Sequence, residues 1–213
     1  MADANSIDTK LEDKIIDEIK ASLSAFACVA DWKSNLSVAY ASAAITSGKR
    51  LYDAYKKHGV NSREQLPPGV FQNDVMNLNI QSGENFAKQL RQKGLYSLVI
   101  SPATFFAKGW QQDHYMAFWE RVINTFANDV RLNEDWQYSN GCAEEFLIGL
   151  QSGKLIYEGL NDTPLEPTEG VKKVKESISQ IKSLNVEPTK LYEIYRRLNL
   201  LDFTRLKREK CVV

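Results

Sequence analysis

Apolar residues at Leu11, Ile15, Ile16, Ile19 and Leu23 repeat at helical spacing and predict an amphipathic helix over 7–27. The pattern then shortens. Leu36-Ser37-Val38-Ala39-Tyr40-Ala41-Ser42-Ala43 predicts a strand, followed by the small-residue loop Ala44 to Arg50 and a helix from Leu51 to His58. Pro67-Pro68-Gly69 marks a polar loop, after which residues 71–93 predict an interrupted helix stopped by Gly94. Leu95 to Ile100 is a buried-strand pattern, and Ser101-Pro102 ends it. An aromatic loop over 104–112 leads into a helix over 113–127 that carries Tyr115, Met116, Phe118, Trp119, Val122, Ile123 and Phe126. Val130 to Leu132 predicts a strand, Ser139-Asn140-Gly141 breaks regularity, and Cys142 to Leu150 predicts a helix. A last strand is expected over 154–159, then charged amphipathic helices over 168–183 and 188–208.

Charge removes one class of partner. Lys and Arg number 27 and Asp and Glu number 27, so no large nucleic-acid surface is expected. Cys28, Cys142 and Cys211 are few, odd in number and far apart, which fits reduced thiols in a cytoplasmic protein. No apolar run approaches the ~20 residues of a membrane span, and the polar, acidic first residues are unlike a secretory signal. The basic end from Arg205 to Lys210 reads as a solvated helix end. With only His58 and His114 and no C-x-x-C pair, no metal site and no cofactor is expected. Nothing near His114 resembles a nucleophile elbow, and Cys142 reads as a packing residue.

The stretch Asp135 to Phe146 carries the candidate chemistry. A strand, a short Ser/Gly turn and a helix form the geometry in which open α/β sheets hold ligands. Ser139 is a natural N-cap, and a Glu in the first helical turns sits where the macrodipole favours the anion. Of Glu144 and Glu145, one is expected to face the crevice and the other solvent; Glu145 is the inward choice. The Ala44–Arg50 loop is a second N–H-rich turn, with Lys49 or Arg50 adding charge. Trp110 and Tyr115, near a loop end, are placed to stack on a planar ligand.

Ser139-x-Gly141-x-x-x-Glu145 resembles the signature of the nucleoside 2-deoxyribosyltransferase-like superfamily, which includes nucleotide N-hydrolases and small phage-type domains. Tyr40-Ala-Ser-Ala-Ala-Ile45-Thr46-Ser47-Gly48 is similar to the family's opening strand and loop, with Ala43-Ala44 where Gly-Pro is frequent. Asn85-Phe86-Ala87 through Gly94 to Ser101-Pro102 is similar to its second unit. Trp110, Tyr115-Met116 and Trp136 match the phage-type members, with Asp135 in place of Gly. The resemblance covers roughly residues 36–160.

The resemblance implies an α/β fold, a Rossmann-like or flavodoxin-like parallel sheet sandwiched by helices, with extra N- and C-terminal helices. It divides the chain into an N-terminal helical extension (1–34), the α/β domain (35–165) and a C-terminal helical appendage (166–213). It implies cleavage or transfer at the N-glycosidic bond of a nucleoside or nucleoside 5'-monophosphate, with Glu145 as nucleophile. Tyr40, Ile45, Thr46, Ser47, Gly48, Arg50, Trp110, Trp136, Ser139 and Gly141 would bind the substrate. Two carboxylates are the recurring solution for such bonds, and Asp113, Glu120 and Asp135 are candidates for the second. Counting back from the motif favours Glu120, while helical periodicity favours Asp113. The alternative is a non-catalytic module of the same fold that senses a nucleotide. A homodimer or higher homo-oligomer is expected, with the C-terminal helices covering the site, making a dimer contact or capping the core.

Overall fold

A computed structural model describes residues 36–202. The helix expected over 7–27, Cys28, Cys211, and the part of 188–208 beyond 202 lie outside the described residues.

Four strands build one sheet: β1 (Val38–Ser42), β2 (Leu98–Ile100), β3 (Asp129–Leu132) and β4 (Leu155–Glu158). Every pairing is parallel, in the order β2-β1-β3-β4. Six α-helices accompany them among the described residues: α1 (Lys49–His58), α2 (Asn77–Gln92), α3 (Gln112–Phe126), α4 (Asn140–Gln151), α5 (Pro167–Lys182) and α6 (Thr189–Asn199). The fold is therefore α/β of the Rossmann-like or flavodoxin-like kind. Because β2 and β3 flank β1 on opposite sides, the chain order reverses between β1 and β3. The crevice beyond their carboxyl ends is where open α/β sheets bind ligands.

Period-two alternation sorts β1 between two layers. Val38, Tyr40 and Ser42 point to the face covered by α3 and α4, where Val130, Leu132, Phe118, Ile123, Phe146 and Leu147 complete the main core. Helices α5 and α6 pack behind α4. Ala39 and Ala41 point the other way, under Phe86, Ala87 and Leu90 of α2. A π-helical turn over Phe71–Met76 precedes α2. On this second face Arg131 is buried at 3% exposure. Its Nε donates to Tyr96 Oη (2.7 Å), its guanidinium donates to the Asn161 carbonyl, and it stacks 3.8 Å from the Tyr157 ring centroid. Tyr96 O–H in turn donates to Asp129 (2.7 Å).

Element types and order match the sequence pattern, with shifted ends. Residues 95–97 do not join β2, because the Ser97 and Leu98 amides both bond to the single carbonyl of Ser37. Lys49 and Arg50 belong to α1 rather than to the loop before it. No helix among the described residues is long and apolar enough to cross a membrane.

Candidate active site

Glu145 enters the main core from α4 with 5% of its surface exposed. Tyr40 Oη donates to its Oε1 at 2.6 Å and Ser42 Oγ to its Oε2 at 2.5 Å. Both donors come from one face of β1, and both residues are fully buried. Alternation along 38–42 is the signal that places Ser42 beside Tyr40, although only Tyr40 stands out as a motif residue. No cation is among the groups acting on the carboxylate; burial raises it to about 7, and the Ser42 and Tyr40 hydrogen bonds pull it partly back. The expected help from the macrodipole is outweighed, since that field fades beyond the first helical turn and Glu145 lies deeper in α4. Burial and the neighbouring Glu145 carboxylate also push the Tyr40 hydroxyl well above the usual phenol range.

Glu144 is not solvated as expected. Its Oε1 takes a 2.5 Å ion pair from Arg197 of α6, and its side chain is only 13% exposed. The C-terminal helices thus clasp the helix that presents Glu145.

Two turns meet above the triad. Ser139 caps α4, its Oγ accepting from the Cys142 amide at 3.4 Å, and lies 3.1 Å from Ser47 Oγ of the loop after β1. Gly48 begins α1 at φ 96°, and a Cβ there would come within 2.8 Å of Ala44 Cβ. Ala44 is thus packed tightly against this turn. Thr46 is exposed, Ile45 is half-buried, and Arg50 donates to Asn79 Oδ1 at 3.1 Å. Gly141 borders open space: a Cβ added there would meet only Ser139 Oγ, at 3.9 Å. Asp135 adopts the left-handed conformation at φ 57°. Asp is one of the few side chains that enter this conformation readily. The Asp135 carboxyl is raised by partial loss of solvent, opposed by Lys49.

Other expected members fall elsewhere. Trp136 is fully buried in the core, its ring centroid 4.7 Å from that of Phe146 and its Nε1 donating to Glu158 at 3.1 Å. A short 3-10 turn over Trp136–Tyr138 swings it into the core. Trp110 is buried against Phe105, Tyr115 and Phe118. Asp113 and Glu120 are exposed on α3, and neither is among the groups acting on Glu145. Of the carboxylates weighed for the second role, Asp135 is the one on a loop at the β1/β3 crevice. Cys142 is fully buried, its thiol pushed up to about 12 by burial, which fits packing and not nucleophilic attack.

Asn79 and Arg197 are contacts that periodicity and motifs did not single out. A groove of about 340 Å³ runs beside Arg50, between Ser82, Asn85 and Gln89 of α2 and Asn133-Glu134. No family model, curated protein or solved structure matches the chain.

Proposed function

We propose that the protein cleaves or transfers the N-glycosidic bond of a nucleoside or nucleoside 5'-monophosphate, with Glu145 as the nucleophile. The observation that carries this reading is a buried carboxylate, uncompensated by any cation, at the β1/β3 switch point. Structural carboxylates in cores are normally paired, whereas perturbed ones collect at functional sites. Tyr40 and Ser42 each occupy one lone pair of the carboxylate and leave others for attack. Attack at the anomeric carbon forms a glycosyl–Glu145 ester as the C–N bond electrons pass to the base, which takes up a proton from the Asp135 carboxyl. Water, or a second base, then displaces Glu145 and restores it. Ser47, Gly48, Arg50 and Ser139 hold the sugar and its 5' end in this reading. Asp135 is the second carboxylate. The assembly is read as a homodimer or higher homo-oligomer, which sedimentation would report.

The deep burial of Glu145, at 5% exposure, favours one other reading: a sensor that binds a nucleotide in a closed site without turnover. Chromatography of free base after incubation with nucleosides and 5'-monophosphates separates the two. Wild type should release base and Glu145→Gln should not, with the rate rising as pH passes about 7 and the carboxylate ionises. Stabilisation by one nucleotide without release would select the sensor. Neither response would sink both readings.

A further inference from the structure

Half of the second face is left without a helix. In a parallel sheet the crossover between strands is right-handed, so the direction of travel decides which face receives the connecting helix. The step from β1 to β2 lays α2 on the second face, where it packs against β2 and β1. The steps from β2 to β3 and from β3 to β4 travel the other way across the sheet, and lay α3 and α4 on the face that holds the main core. Helices α5 and α6 pack behind α4 and against each other. Among the described residues, no helix packs closely over β3 and β4 on the second face.

That half-sheet has a polar centre and an apolar border. Ile156 faces the main core, so alternation turns Leu155 and Tyr157 to the second face. Arg131 stacks on Tyr157, and Tyr96, which precedes β2, reaches past β1 to Asp129 of β3 at 2.7 Å. The loop after β4 is held here too: the Asn161 carbonyl accepts from Arg131, and the Leu160 carbonyl accepts from Lys93 at 2.5 Å. Around this cluster Leu95 and Leu155 keep 53% and 41% of their surface exposed, and Leu160 is exposed as well. Single surface leucines need no explanation, but three around one uncovered half-sheet mark a surface that something covers.

The chain itself supplies an occupant. Residues 1–35 lie outside the described residues, and 7–27 carry the helical stripe Leu11, Ile15, Ile16, Ile19 and Leu23. An amphipathic helix draws most of its stability from burying such a stripe. The segment joins the sheet at the amino end of β1, and β3 and β4 lie only about 5 and 10 Å away across the ladder. Residues 28–35 span up to about 26 Å when extended, so the linker reaches with length to spare. The face of the main core is already filled by α3 and α4, with α5 and α6 behind them. We propose that the 7–27 segment docks as a helix, through this stripe, on the β3/β4 half of the second face of its own chain and completes the sandwich there. The proposal is independent of the chemistry assigned to Glu145.

The test uses the full chain and methyl NMR. In uniformly labelled protein, NOEs should join the methyls of Ile15 and Ile19 to those of Leu95, Leu155 or Leu160. In an equal mixture of labelled and unlabelled chains, isotope-filtered NOEs between chains should be absent. Contacts seen only between chains would give the surface to a second copy and overturn the proposal, and so would no contact in either sample. Amide exchange supplies a second readout. Residues 11–23 should be protected in the wild type and exchange about a hundredfold faster or more in Leu155→Asp, which charges the half-sheet at a side chain already exposed. Ile19→Asp should release the same amides by about the same factor, while β1 and α4 keep their protection. Fast exchange over 11–23 in the wild type, or an unchanged rate in Leu155→Asp, overturns the proposal. Equal acceleration of β1 and α4 in both variants would report general unfolding in place of undocking and overturns it as well.

Discussion

Two tyrosines on opposite faces of one sheet each donate to a carboxylate, and their surroundings differ in one respect. On the second face Tyr96 O–H donates to Asp129 while accepting from Arg131, which also stacks on Tyr157. Anion, phenol and cation form a chain in which Tyr96 Oη bridges the half-buried Asp129 and the buried Arg131. On the first face Tyr40 O–H donates to Glu145, Ser42 serves the other oxygen, and no cation joins them. The carboxylate keeps the desolvation cost that the Arg131 network offsets. Removing one member of such a paired network leaves its buried partners unsatisfied. An uncompensated group is one the fold tolerates, and such sites are where local rules yield to function.

The largest expected effect breaks the compensated side. Arg131→Met removes the guanidinium bonds to Tyr96 Oη and the Asn161 carbonyl, and should cost about 3–5 kcal/mol in urea unfolding, at roughly 1.5–3 kcal/mol for each bond to a charged group. The uncompensated side should behave oppositely. Glu145 is raised from 4.5 to about 7, so the folded chain holds a proton that the unfolded chain releases between those values. Stability therefore falls as pH rises from about 4.5 and levels off above about 7, by about 3 kcal/mol in all. Glu145→Gln should remove that slope, gaining about 2–3 kcal/mol at pH 8 and little at pH 4. A variant that is destabilised at both pH values would refute the contrast. Gly83→Ala forces α2 from Ala103 and Ala43, and should cost about 1–3 kcal/mol by thermal unfolding. Trp136→Phe loses the Nε1 bond to Glu158, which Lys173 also holds at 2.6 Å, and leaves space where the larger indole was fully buried, so it should cost about 2 kcal/mol without changing any ligand response.

The difference between the faces also marks what the chain displays in one dimension. Strand and helix order is local information, carried by alternation in Val38 to Ser42 and by the helical stripe from Phe118 to Phe126. Ser139 as a cap, Glu145 as the inward acid and the Ser47-Gly48 turn follow from neighbours a few residues away. Trp110 and Trp136 do not, because an indole at a loop end reads alike whether it awaits a ligand or fills the core. Glu120 depends on the rotation of α3 about its axis, and it falls on the solvent side of Trp119. Asn79 owes its role to residues 34 and 29 positions distant, and Arg131 to Tyr96 and Asn161, pairings that only the folded layers create. Asp135 is the reverse case. Its left-handed turn at φ 57° is one that Asp itself enters readily, a property legible in the residue type.

The uncompensated carboxylate can be read directly by carbon-detected NMR of the side-chain carboxyls, with Glu145→Gln assigning the resonance. Glu145 should titrate with a midpoint of about 7, moving higher in Ser42→Ala as one of its two donors is lost. A midpoint at or below the ordinary 4.5, unmoved by Ser42→Ala, would show a compensated group and contradict the contrast between the two faces.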